Sequence, residues 1–119
     1  MPHVLIAGPC SVRRYWDEFA SREWRDGDLV VRTVSAFLAR GETAVLVECA
    51  VAEGFLRQVF LVHLSQKDEG VLARLFHATS PERTVGVRRC LAWIGEEPLA
   101  QDPSCWWGSH TLGVPLPSH

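Results

Sequence analysis

Residues 43–79 read TAVLVECAVAEGFLRQVFLVHLSQKDEGVLARLFHAT. This is the densest apolar stretch of the chain, and the one in which turn signals fix which residues face each other. Three runs rich in Val, Leu and Phe are separated by Glu53-Gly54 and by Lys67-Asp68-Glu69-Gly70. Such runs, bounded by Gly and Asp, predict three antiparallel strands joined by tight turns. A two-residue turn at Glu53-Gly54 pairs Ala52 with Phe55, Ala50 with Arg57, Cys49 with Gln58, Val47 with Phe60 and Val45 with Val62. The second loop pairs Gln66 with Val71, Val62 with Leu75, Leu61 with Phe76 and Phe60 with His77.

Side chains alternate along a strand, so these pairings define two unlike sheet faces. One carries Val45, Val47, Cys49, Val51, Phe60, Val62, Leu64, Val71 and Leu75, and is apolar enough to be core. The other carries Leu46, Ala50, Phe55, Val59, Leu61 and Phe76 together with Glu48, Arg57, His63 and Arg74. Too apolar for free solvent and too charged for a dry core, that face is expected to meet a partner: a second subunit, the C-terminal segment or a ligand.

On the C-terminal side, Ser80-Pro81 reads as a helix start, and Val87, Cys90, Leu91 and Ile94 recur at helical spacing. Thr84, Val85 and Val87 suit a strand, and Gly86 costs a helix about 1 kcal/mol, but the spacing favours a helix over 81–94, stopped by Gly95 and Pro98. Residues 96–119 hold four Pro and the pair Trp106-Trp107. They are expected as an irregular segment that docks its tryptophans on the domain or on a partner.

On the N-terminal side, Asp28 can cap a helix over 29–40, with Val30, Thr33, Val34, Phe37 and Leu38 on its buried side. Val12, Tyr15, Trp16, Phe19, Ala20 and Trp24 mark one face of an earlier helix after a Ser11 cap. Val4 to Ala7 is a short apolar run closed by Gly8-Pro9, expected as an edge strand or lead-in.

The predicted fold is therefore α+β. Two N-terminal helices pack on one face of a small antiparallel sheet of three or four strands, with a third helix at 81–94 and the Trp-bearing segment docking last. The 119 residues lie near the usual size of one domain, so 1–119 is expected to be a single unit.

Composition narrows the function classes. A formal charge of −2 supplies no field to draw in nucleic acid, and Arg83, Arg88 and Arg89 make only a small basic patch without aromatic interleaving. No apolar stretch approaches the ~18 residues of a membrane span, and residues 4–7 are too short for a signal peptide. The expected compartment is the cytoplasm. Cys10, Cys49, Cys90 and Cys105 form no CxxC pair. A zinc site from Cys49, His63, His77 and Cys90 fails on geometry: His63 points away from Cys49, and Cys49 lies two strands, near 10 Å, from His77. No metal or cofactor is expected, nor does any nucleophile elbow or phosphate-binding glycine loop occur.

The best constellation is on the mixed face: Glu48, Arg57, His63 and Arg74, with Phe76 beside them and Trp106 and Trp107 as candidates to cover it. The paired registers make Glu48 and Arg57 diagonal neighbours and set His63 against Arg74. Two functions follow. The first is a non-catalytic assembly domain that dimerises through this face or the Trp segment. The second is a small-ligand or enzymatic site with His63 exchanging protons and the arginines holding an anion.

Overall fold

A computed structural model describes residues 1–117; Ser118 and His119, the end of the expected C-terminal segment, lie outside the described residues. In chain order the elements are β1 (His3–Ala7), α1 (Val12–Asp17), β2 (Arg22–Asp26), β3 (Leu29–Leu38), β4 (Ala44–Glu53), β5 (Leu56–Lys67), β6 (Gly70–Leu75), α2 (Val85–Gln101) and β7 (Trp106–His110). The strands form one antiparallel sheet in the order β2-β3-β4-β5-β6-β1-β7, curled into a half-barrel. Both helices pack on its inner side, where Val4, Ile6, Val47, Phe60, Val62 and Leu64 meet Tyr15, Leu91 and Ile94 in one buried cluster. Each of the larger side chains stabilises the fold by about 1.5–3 kcal/mol through burial.

This corrects the expected fold class. The sheet has seven strands, not three or four, and the two N-terminal helices shrink to the six residues of α1. The helix expected over 29–40 is β3. Leu29, Val31 and Thr33 are buried, then a bulge at Val34 shifts the phase so that Ala36 and Leu38 turn to the core. A strand interrupted by one extra residue mimics the three- and four-residue spacing of a helix. The β-branched Val30, Val31, Thr33 and Val34, stiff at χ1, decide for the strand. Upstream, α1 buries Val12 and Tyr15 and ends at Asp17, and Trp24 lies instead in β2, stacked on Trp93 with ring centroids 5.5 Å apart. Asp26 pairs with Leu29, so Gly27-Asp28 is the turn of a hairpin where a helix break and a helix cap were expected. The strand at the N-terminus is not at an edge, since β1 lies between β6 and β7.

The β5–β6 register is as the sequence predicts, with Val62 opposite Leu75 and Gln66 opposite Val71. The β4–β5 register differs by two residues: Glu53 pairs with Leu56 and Cys49 with Phe60, and the turn is Gly54-Phe55. Gly54, at φ 57°, takes the first central position, the place where a two-residue turn of the II′ type needs glycine. An even shift leaves every side chain on its expected face.

Helix α2 begins at a Thr84 cap rather than at Ser80, and runs through Gly95 and Pro98 to Gln101. Glu53, at the end of β4, organises this start: its carboxylate accepts from the Thr84 hydroxyl and, at 3.0 Å, from the Gly86 N–H. A carboxylate on the first turn of a helix satisfies orphan donors and the dipole together. Gly86 is what lets it approach, because a Cβ there would lie 2.5 Å from the Glu53 carboxyl carbon and 2.8 Å from Leu29. Gly95 plays a similar part lower down, where a Cβ would stand 3.0 Å from Trp107 and 3.3 Å from Ile6 and Val4. The C-terminal segment is more regular than expected: 96–101 finish α2 and β7 pairs with β1.

Gly86→Ala would gain about 1 kcal/mol on an exposed helix. Here we expect it to destabilise the fold by about 1–3 kcal/mol through overpacking, read as a lowered urea midpoint with unchanged slope.

Candidate functional site

The outer side of the half-barrel carries no helix. Along it run Val30, Arg32, Ser35 and Phe37 from β3, the even-numbered residues of β4, the odd-numbered residues of β5, and Leu72 and Arg74 from β6. Val59 is 72% exposed, Phe37 55% and Val34 47%.

Four of the predicted site residues come together on this face. His63 sits opposite Arg74 across β5–β6, and Phe76 stacks on His63 with centroids 5.8 Å apart. Glu48 faces Leu61, which makes His63 its diagonal neighbour. The other three lie elsewhere. Arg57 faces Ala52, because the two-residue shift in register moves it away from Glu48 towards the hairpin tip. Trp106 is on β7, three strands beyond β5, or about 14 Å at ordinary strand spacing. Trp107 packs against the inner core, where its indole N–H donates to the Pro117 carbonyl at 3.3 Å.

Arg32 pairs with Glu23 of β2, its Nε 3.3 Å from Oε1, but other charges of the face are not internally matched. Among the described residues, no ion pair and no side-chain hydrogen bond engages Glu48, Arg57 or Arg74. The Nδ1 of His63 and the hydroxyl of Ser65, two residues apart on one side of β5, are buried without a partner among the described residues. Burial, then Arg74, His77 and Lys67, lower the His63 pKa, so its ring is neutral at pH 7. A shallow hollow of about 210 Å³ touches the face at Met1, His3, Leu72 and Arg74. It does not reach His63.

Cys49, one of the considered metal ligands, is buried in the core, where its thiol donates to the Val47 carbonyl at 3.5 Å and where the neighbouring Cys90 thiol and burial push its pKa well up. His63 is on the opposite side of the sheet, and His77 follows Phe76 in the loop after β6.

A second polar cluster was not legible in the sequence. Tyr15 of α1 donates its hydroxyl to Glu97 Oε1 at 3.1 Å, and Arg22 of β2 brings its Nε to 3.7 Å from Oε2. Glu97 is only 9% exposed. Burial raises its pKa to about 7, against the opposing pull of Tyr15 and Arg22. With α2 expected to stop at Gly95, Glu97 falls in the irregular segment and nothing marks it as buried. The clue available was that Tyr15 is the chain's one tyrosine and lies on an apolar helical stripe, where its hydroxyl must find a partner.

The two titrating groups act on stability with opposite sign. Glu97 has a folded pKa near 7 against 4.5 for the free side chain, so it binds its proton more tightly when folded. Its contribution is full below about pH 4.5 and is lost as pH rises through 7, a swing of roughly 3 kcal/mol. Glu97→Gln is expected to remove that decline in a urea series from pH 4.5 to 8. His63, with its folded pKa lowered, costs stability as pH falls below 6.5. His63→Leu should abolish that acid-side loss and leave stability at pH 7.5 equal or higher, because it deletes an unpartnered buried nitrogen.

No helix among the described residues is long and apolar enough to cross a membrane. No protein-family model matches the chain, and no curated protein or solved structure resembles it closely enough to lend it a function.

Proposed function

We propose that the chain is a cytoplasmic, non-catalytic assembly module that forms a homodimer through the outer face of its sheet. The observation that carries this reading is the composition of that uncovered face. Exposed Phe37 and Val59 lie on the same face as Glu48 and Arg74, charges of opposite sign that find no partner among the described residues. An isologous interface sets each patch against its own copy, so a face with unpaired charges of both signs can match itself. Packing two sheets back to back would bury the aliphatic surface and place each Glu48 within reach of the other subunit's arginines.

A small-ligand site at His63 is the second reading, favoured by the unpartnered Nδ1. The shape of the face weighs against it. A ligand site is concave, whereas this face is the outside of a curled sheet, and the hollow at Met1, His3, Leu72 and Arg74 bypasses His63.

Sedimentation at about 100 μM should show a dimer, since an assembly interface holds well below that concentration. Val59→Glu, a change at an exposed position, should weaken association at least tenfold while leaving the unfolding midpoint of the monomer in place. A monomer at that concentration defeats the proposal. A dimer untouched by Val59→Glu but dissolved by Trp106→Ala would move the interface off this face.

A further inference from the structure

The four cysteines fall into two pairs, each joining segments far apart in the chain. Cys49 of β4 neighbours Cys90 of α2, and both are fully buried. Cys10, in the loop that leaves β1, meets Cys105, the residue that leads into β7. The Cys105 sulfur lies against both the thiol and the backbone N–H of Cys10. We propose that Cys10 and Cys105 are a redox pair, two thiols under a reducing poise and a disulfide once a small-molecule disulfide such as oxidised glutathione takes up their electrons.

The backbone brings the two together. Ala7 pairs with Trp106, so Gly8 falls opposite Cys105. A Cβ at Gly8 would stand 3.0 Å from the Cys105 α-carbon and 3.1 Å from the Ser104 carbonyl oxygen, so the approach depends on glycine. Beyond Pro9 the Cys10 thiol points back along β1 and donates to the Ile6 carbonyl at 3.2 Å. Both backbones are held in place. Gln66 Nε2 donates to the Cys10 carbonyl at 3.2 Å, and the Cys105 N–H donates to the Asp102 carbonyl at 3.0 Å. A disulfide bond is about 2.05 Å long, and two anchored backbones with thiols already in contact reach it mainly by side-chain rotation.

Two further observations favour oxidation over other uses of paired thiols. Among the described residues, no group of three or more Cys, His, Asp or Glu is placed to hold a metal ion, and zinc takes at least three protein ligands. The pair also lies near the surface, 5% and 8% exposed, with exposed Pro9, Ser104 and Trp106 beside it in the chain. A small oxidant needs only a local opening to reach it, whereas Cys49 and Cys90 are sealed. The chemistry balances by exchange. One thiolate attacks a sulfur of the oxidant and expels one glutathione thiolate; the second then attacks the protein-bound sulfur of that mixed disulfide and expels the other. The chain loses two electrons and two protons, and the oxidant leaves as two thiols.

The bond closes a loop of about 95 residues and clasps the end of β1 to the start of β7. Burial, with Cys10 adding to it, pushes the Cys105 thiol up to about 12, which makes it a slow nucleophile near pH 7, so the test reads equilibrium rather than rate. The folded chain is incubated overnight at about pH 8.5 with about 5 mM oxidised glutathione, then read by intact mass and peptide mapping. We expect the loss of two hydrogens, a cross-link between Cys10 and Cys105, and Cys49 and Cys90 still alkylated after denaturation. The urea midpoint should rise by about 1 M or more, and excess dithiothreitol should reverse it. Cys10→Ser and Cys105→Ser should each lose the cross-link and the gain in midpoint while keeping the amide spectrum of the reduced parent. A chain that keeps its four thiols, or stops at glutathione adducts, would overturn the proposal. So would a cross-link that involves Cys49 or Cys90, a bond between two chains, or a midpoint lowered by oxidation.

Discussion

A curled sheet of seven strands has two faces, and this chain carries helix enough to cover one. The inner face is filled by α2, with α1 closing one side of the trough, and every residue below 2% exposure among the large side chains belongs to this layer or its neighbours. Glu53 fixes how the cover sits. It ties the last turn of β4 to the first turn of α2 through two hydrogen bonds, at a place where the missing side chain of Gly86 allows contact. The position of α2 then sets the rest. Gly95 lets it settle on β1 and Trp107, and Glu97 arrives against Tyr15.

That arrangement leaves two groups of charged side chains on opposite sides of the sheet. Outside are charges and aliphatic side chains without a cover; inside is a carboxyl held between Tyr15 and Arg22. They differ in kind. The outer face is broad and offers area, which suits a macromolecular surface. The inner cleft beside Glu97 is small, and its charges are paired with one another, Arg14 with Glu18 and Arg22 with Glu97. Neither depends on the other, because the full thickness of the sheet and core lies between them.

How much of this was legible in the residues can be said element by element. The alternation of Val45, Val47, Cys49 and Val51, and of Phe60, Val62 and Leu64, gives the core face directly, and it survives a two-residue error in the first hairpin because the shift is even. The Asp68-Glu69 turn was readable because Gly70 closes a loop with little freedom in its length. What failed was periodicity over short or interrupted segments. The bulge at Val34 turned an alternating strand into an imitation of a helix, and six residues of real helix at Val12–Asp17 ran by chance into β2 with matching spacing. The reach of α2 was hidden for another reason. Gly95 and Pro98 are stop signals in local terms, and only the close approach of Trp107, Ile6 and Val4 makes a glycine necessary there. Glu97 was lost with them.

The placement of β1 bears on how the fold is reached. Its partners are β6, some seventy residues onward, and β7, about a hundred residues onward, whereas β2 to β5 each pair with the next strand in line. Neighbouring hairpins close small loops and form quickly; the β1 contacts must wait until far larger loops have closed. A meander from β2 to β6 can therefore assemble first, with the edge of β6 bare, and β1 then seals that edge and offers a new one to β7. In the interval, the Val71 to Leu75 strand presents an unpaired and largely apolar edge. The vulnerability of this protein to misassembly is thus concentrated in one strand and one stage of its folding, rather than spread across the sheet.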